Sequence, residues 1–179
     1  MRKEEIIASE YIFDGKVIHV KRHTVLAKSK EASREVVYHM GGASVVPVDQ
    51  EGRIYLVRQY RIAYDEFLWE IPAGKIDPGE EPLETARREL EEECGLVSSD
   101  LEFLTVMYPS PGYTSEKISI YLARDLEQGH QHLDPDEDLE IGLFSFDEIQ
   151  SMIADREIKD AKSLVGLLMA KEKLQGLDD

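Results

Sequence analysis

The segment Gly74–Leu96, GKIDPGEEPLETARRELEEECGL, constrains this chain more than any other. It places eight acidic residues among 23 and still carries the apolar spacing of a helix. Leu83, Ala86 and Leu90 fall at i, i+3 and i+7, which predicts one buried helical stripe. Pro82 suits the first turn, where a missing N–H costs nothing. Gly95 can take the left-handed conformation that ends a helix. Gly74–Gly79, with two glycines and Pro78, reads as a shaped loop rather than a strand. Glu89, Glu92 and Glu93 stand at i, i+3 and i+4, so a helix puts them on one face. Relative to Glu89, the other two lie at about −60° and about +40° around the axis. Like charges so spaced cost a helix roughly 0.2–0.5 kcal/mol per pair. A sequence that keeps such a conflict has a use for it, and three converging carboxylates suit a hard divalent cation. For Glu81, Glu84 and Glu91 a solvated helix face is explanation enough.

With 179 residues, 42% hydrophobic and 32% charged, the chain is long enough for one well-buried globular domain with a small N-terminal extension. Its 21 basic and 37 acidic residues give a net charge of −16, which argues against nucleic acid or an anionic membrane as partner. An anionic substrate then needs local positive charge, which bound cations supply. The single cysteine, Cys94, excludes an internal disulfide and a zinc site of several thiolates, and reads as a small buried hydrophobe. The five histidines show no metal-binding spacing. The N-terminus lacks a signal-peptide core and no apolar run approaches the ~20 residues of a membrane span, so a cytoplasmic protein is expected.

Residues 1–40 read as a β-rich N-terminal subdomain and residues 41–179 as the main domain. Tyr11–Phe13 and Lys16–Val20 flank Asp14-Gly15, a two-residue hairpin signal. Arg34–Met40 holds a further short strand, and Gly41-Gly42 marks a break. Strands are expected at Ser44–Val48, Ile54–Tyr60, Phe67–Ile71, Leu101–Met107, Ile118–Leu122 and Leu139–Phe144, with a turn at Asp49–Gly52. Ser145-x-x-Glu148 is a capping-box pattern for a helix to about Ala154. Asp160 can cap a last helix, Ala161–Gln175, with Gly176 as its stop. Strands and helices that do not alternate regularly indicate an α+β fold.

Gly74, Glu80, Arg88-Glu89-Leu90, Glu92-Glu93 and Gly95-Leu96 match every fixed position of G-x5-E-x7-R-E-U-x-E-E-x-G-U, with U aliphatic. In this the segment resembles the Nudix box. The resemblance implies an α/β/α sandwich with a mixed sheet. It also implies a hydrolase that uses Mg2+, with Mn2+ as substitute, to split the pyrophosphate of a nucleoside diphosphate linked to another group. It makes Glu89, Glu92 and Glu93 metal ligands, with Ala73 adding a backbone carbonyl. Arg88 then orients the glutamates, and Glu80 supports them or adds a ligand.

Further segments are similar to the ADP-ribose pyrophosphatase branch of that family. Pro109-Ser110-Pro111-Gly112 ahead of Glu116 matches its proline loop, with Pro111 sixteen residues past Gly95. This implies Pro111, Gly112 and Glu116 as substrate contacts. Val57-Arg58-Gln59-Tyr60-Arg61 matches an arginine strand of the branch. Either guanidinium can pair bidentately with phosphate, but i and i+3 point to opposite faces of a strand, and Arg58 is favoured. Trp69 is read as packing. Tyr11, Tyr38 and Tyr113 are all candidates to stack on a base. The acidic run Asp134–Ile141 aligns Glu137 with the branch's general base, with Glu140 and Glu116 as fallbacks, and a solvated acidic loop is the plain alternative. The expected catalytic set is therefore Glu137, Glu92 and Arg88. The resemblance implies hydrolysis of ADP-ribose to AMP and ribose 5-phosphate by a homodimer whose N-terminal strands swap. Other nucleoside diphosphate sugars, such as GDP-mannose or ADP-glucose, are the alternative substrates. A non-catalytic nucleotide-sugar sensor is a third reading, disfavoured because all the box glutamates are present.

Overall fold

The computed structural model describes residues 3–135 and 137–176. The chain forms two compact units, one of residues up to Gly41 together with Tyr108–Lys117, the other of Gly42–Met107 and Ile118 onward.

The first unit is an antiparallel sheet of β1 (Glu5–Asp14), β2 (His19–Ala27) and β3 (Lys30–Tyr38), in that order. Asp14 pairs with His19, and Gly15 N–H donates to Ile18 O at 3.0 Å, so the β1–β2 connection takes four residues. This corrects the two-residue hairpin expected at Asp14-Gly15: Lys16, Val17 and Ile18 lie in the turn. The β2–β3 turn is the tight one. Lys28 and Ser29 both adopt positive φ (49° and 67°), as a two-residue hairpin turn requires, without the Asn or Gly that usually announces it. The 108–117 segment joins this sheet through a parallel bridge between Val37 and Thr114. Every residue of β1 is exposed, including Ile6, Ile7, Tyr11, Ile12 and Phe13.

In the second unit, β4 (Gly42–Pro47), β7 (Ala73–Lys75), β8 (Leu96–Met107) and β9 (Ile118–Gln128) form a mixed sheet in the order β7-β4-β9-β8, with β4 and β9 parallel. β5 (Ile54–Arg61), β6 (Glu66–Glu70) and β10 (Leu139–Phe144) form an antiparallel sheet in the order β10-β5-β6. Helix α1 (Pro82–Cys94) packs on one side, and α2 (Phe146–Ala154) with α3 (Ala161–Gln175) on the other. Strand alternation makes the three layers. Ala43, Val45 and Val57 join Ala86 and Leu90 of α1 in one cluster, while Val46, Ile54 and Leu56 join Ile149 and Leu167 of α2 and α3 in the other. Such a fully buried central strand explains why β4 reads as a near-continuous apolar run. The caps fall where expected: Ser145 and Glu148 form a reciprocal capping box, and the Asp160 side chain accepts from Ser163 N. Gly74-Lys75, expected as loop, pairs with β4 instead. No helix among the described residues is long and apolar enough to cross a membrane.

An ion network that the sequence reading missed joins α3 to β5 and β6. The Glu70 carboxylate is 2% exposed. It accepts Arg61 Nε and Nη2 at 2.7 Å each and pairs with the buried Lys162 ammonium, which also reaches Asp160 at 2.9 Å. Beside it, Ile71 N–H donates to Ser163 Oγ at 2.8 Å. Burial pushes the Glu70 carboxyl up, but the Arg61 hydrogen bonds and the Lys162 charge outweigh it and hold the group below the ordinary glutamate range. The network's stabilisation is therefore present above the unfolded-state glutamate pKa and is lost as pH falls through the depressed folded value. Removing Lys162 strands part of a buried negative charge. Lys162→Met should destabilise the chain by about 3 kcal/mol at neutral pH. That cost should shrink in acid, where the variant's Glu70 takes up a proton. Urea denaturation across pH checks both, and a pH-independent cost would contradict the assignment.

Candidate active site

The α1 helix delivers its carboxylates into packed surroundings rather than to solvent. Glu93 is 2% exposed and Glu89 7%. They lie on the helix side that buries Ala86, Leu90 and Cys94, so these two are not part of a solvated face. Pro82 opens the helix after Glu81, and Gly95 closes it at φ 65°, donating to Glu91 O at 2.8 Å.

Arg88 organises the carboxylates. Its Nη1 donates to Glu89 Oε1 at 2.6 Å and to Glu92 Oε2 at 2.7 Å. Nε and Nη2 meet the two oxygens of Glu80 at 3.1 and 3.2 Å, and Nη2 also donates to Lys75 O at 3.1 Å. Glu80 is held in turn by Thr85 Oγ1 at 2.7 Å and Asp77 N at 3.2 Å. The Arg88 hydrogen bonds, then that of Thr85, lower the Glu80 carboxyl to about 2. The hydrogen bonds to Glu80, then the Glu89 charge and the bonds to Glu92 and Glu89, raise the Arg88 guanidinium above its ordinary value. Glu93 faces β7 instead: its Oε2 accepts Ala73 N–H at 2.9 Å. The backbone at 73–75 is pressed against the helix, since a Cβ on Gly74 would collide with the Glu89 carboxylate. Glycine at 74 thus leaves the Glu89 carboxylate its place beside Arg88, and a larger residue would displace it.

Burial raises Glu89 to about 7, partly offset by Arg88, with Glu92 and Glu137 adding repulsion. Burial, then Glu89 and Glu137, raise Glu93 to about 8 against the Ala73 N–H. Three carboxylates, Glu80, Glu89 and Glu92, therefore gather around one guanidinium, and Glu89 and Glu93 are pushed toward neutrality first by burial and then by neighbouring carboxylates. In this geometry Arg88 Nη1 lies between Glu89 and Glu92, and among the described residues no three His, Cys, Asp or Glu side chains close around a single point. The donor set nonetheless fits a hard divalent cation: it is all oxygen, crowded with negative charge and short of positive charge.

The remaining candidates scatter. Glu137 is exposed in the loop before β10, where its N–H donates to Asp134 O at 2.9 Å and its Oε2 accepts Asp134 N–H at 3.2 Å. Its charge reaches Glu89 and Glu93, which links the loop to the helix. Asp136, within the same acidic run, lies outside the described residues. Arg58 shares its strand face with Leu56, opposite α1. It stacks over Phe67 and Trp69, 5.4 and 5.9 Å from their ring centres, and meets Glu140 at 3.4 Å. Arg61 shares its face with Val57, on the α1 side, and is engaged by Glu70. Trp69 also packs edge-on against Phe144 at 5.0 Å. Pro111, Gly112 and Glu116 belong to the first unit. There Tyr113 N and Thr114 N both donate to Ser110 O, and Glu116 lies 3.6 Å from His39 Nδ1. Glu70 and Lys162 carried no sequence signal beyond their neighbours, because ion pairing between residues 92 apart leaves no local pattern.

The family model described as "NUDIX domain" matches residues 38–165. The chain is 39% identical to an ADP-ribose pyrophosphatase of Bacillus subtilis, covering 97% of this chain and 96% of that protein. It is 35% identical to a methanol dehydrogenase activator of Bacillus methanolicus, covering 92% and 91%. The crystal structure of an ADP compounds hydrolase superposes with a TM-score of 0.88 over 99% of this chain and 97% of that one, at 24% identity, which speaks to the fold.

If the 73–75 backbone and the α1 carboxylates together form a cation site, Gly74→Ala should weaken it through the collision with Glu89. Mn2+ binding followed by electron paramagnetic resonance should fall at least about ten-fold, the scale on which displaced ligand supports act. Unchanged affinity would separate β7 from the cation site.

Proposed function

We propose, from the premise that this chain belongs to the Nudix family, that it hydrolyses the diphosphate of ADP-ribose to AMP and ribose 5-phosphate. The observation that carries the reading is the α1 cluster itself: Glu89 and Glu92 drawn together on Arg88, and Glu93 pinned to the Ala73 N–H. Similarity to an ADP-ribose pyrophosphatase over nearly the full length supports the substrate. Glu89, Glu92 and Glu93, with the Ala73 carbonyl, are the groups that would hold Mg2+ or Mn2+. When bound, the cation neutralises the diphosphate and acidifies water at neutral pH. Arg88 keeps Glu89 and Glu92 at fixed separation, and Glu80 keeps Arg88. Glu137, on a solvent-facing loop whose charge reaches the cluster, takes the proton of the attacking water as general base. Arg61 lies on the α1 side of β5 with Nη1 uncommitted to Glu70, and contacts the substrate's phosphates. Arg58 extends from the opposite face of β5 and is left out of this phosphate contact. Pro111, Gly112 and Glu116, within the first unit, are proposed as substrate contacts on the resemblance of their loop alone. The ADP half is the part of the substrate most firmly implied. Hydrolysis of other nucleoside diphosphate sugars, such as GDP-mannose or ADP-glucose, is the second reading, because the α1 cluster bears on the diphosphate and not on the sugar.

A substrate panel of ADP-ribose, ADP-glucose, GDP-mannose and NAD+ with Mg2+, read by 31P NMR, should show ADP-ribose cleaved with the highest kcat/KM. Glu93→Gln and Glu137→Gln should each lower turnover by at least about 10²-fold. Only Glu93→Gln should also change the Mg2+ requirement. Retained turnover in Glu93→Gln would sink the metal assignment.

We also infer a homodimer built through residues 1–40. A strand exposed along its whole length, with five large apolar side chains, is an unprotected sheet edge that monomers seldom keep. Light scattering should give twice the 20.4 kDa chain mass. Charges placed at Ile12 and Phe13 should halve it, whereas a native monomer would refute the pairing.

A further inference from the structure

The C-terminal end of α1 exposes carbonyls that no helical N–H can reach. Four donors from one short segment, Gln128–His132, meet them. Gly129 N–H and Gln128 Nε2 both donate to Gly95 O, at 2.8 and 2.9 Å. Gln131 Nε2 donates to Glu93 O at 2.8 Å, and His132 N–H to Glu92 O at 3.2 Å. The contact is close: a Cβ on Gly95 would lie 3.0 Å from Gln131 N. The segment leaves β9 at Gln128 and runs directly into the acidic loop that carries Glu137. The carbonyls it grips belong to Glu92 and Glu93, the same residues whose side chains form the carboxylate cluster. The Gln128 side chain reaches Gly95 O at the cap, whereas the Gln131 side chain, nearer the loop, reaches Glu93 O within α1 itself.

We propose that Gln131 is a positioning residue: its amide fastens the root of the 133–138 loop to the metal-binding end of α1, so that Glu137 is held at a fixed distance from Glu92 and Glu93. The proposal rests on the reading of Glu137 as general base. Exposed loops wander, and a base displaced by an ångström loses much of its effect. Two side-chain hydrogen bonds, from Gln128 and Gln131, and two backbone ones, from Gly129 and His132, hold the loop's root and limit that wandering without burying the base itself.

Gln131→Met keeps the length of the side chain and removes the donor. With thermal melting as a check on folding, steady-state hydrolysis of ADP-ribose should show kcat lowered about ten-fold or more, with KM and the half-saturating Mg2+ concentration unchanged within about two-fold. In a double-mutant cycle, Gln131→Met should add nothing to Glu137→Gln, because both act through the same carboxylate. Multiplicative losses in the double variant would overturn the proposal, and so would a Gln131→Met loss accompanied by a raised Mg2+ requirement, which would place the effect in the helix. Wild-type kcat in Gln131→Met beside a crippled Glu137→Gln would sink the positioning role alone. Wild-type turnover in Glu137→Gln would sink the base assignment and this inference with it. Should Gln131→Met fail to fold, Gln131→Ser, which shortens the side chain out of reach, carries the same expectations.

Discussion

Everything near the candidate site follows from two carboxylates on the buried side of one helix. A buried charge must be paired, hydrogen-bonded or neutralised. Glu89 and Glu93 leave α1 among Ala86, Leu90 and Cys94, and each is hydrogen-bonded, Glu89 by its neighbour on the helix and Glu93 from β7. Glu89 takes half of an arginine terminus that Glu92 shares. Glu93 takes a backbone N–H from the strip that β7 presses against the helix. A side chain at Gly74 would displace the Glu89 carboxylate, so the glycine and that glutamate are a single steric arrangement.

The strip is held from its other side as well. Glu70, Ile71 and Ala73 are near neighbours in sequence, and the first two are gripped by Lys162 and Ser163 at the start of α3. Chain segments from 61 to 163 therefore converge on four residues of backbone between two helices. Such buried ionic networks contribute less to stability than their short distances suggest, because desolvation offsets the attraction. What they provide here is a fixed backbone beneath the cluster.

How much of this was legible follows from how local each signal was. The α1 boundaries, the Ser145 capping box, the Asp160 cap and the spacing of Glu89, Glu92 and Glu93 are written within a few residues, and all are found where the sequence placed them. The Lys28-Ser29 hairpin was invisible because its positive φ angles are carried by residues that rarely adopt them, in place of Asn or Gly. β7 was misread because glycines and a proline mark loops on average, while the β4 edge recruits Gly74 by pairing. The side of β5 on which each arginine lies required the register with β6. The Glu70–Lys162 pair required the tertiary fold itself. The acidic loop was visible as composition, and its mooring to the end of α1 was not.

One consequence concerns the recognisable spacing of the segment. Arg88 touches Glu80 eight residues before it, Glu89 one after it and Glu92 four after it. A planar fork with five N–H groups can satisfy these at once, whereas an ammonium, a point donor on a flexible stem, cannot. The intervals between the acidic residues are thus a ruler cut to the reach of a single guanidinium. Shifting any one of those glutamates by a position would change the charge count by nothing and would leave the fork grasping a gap.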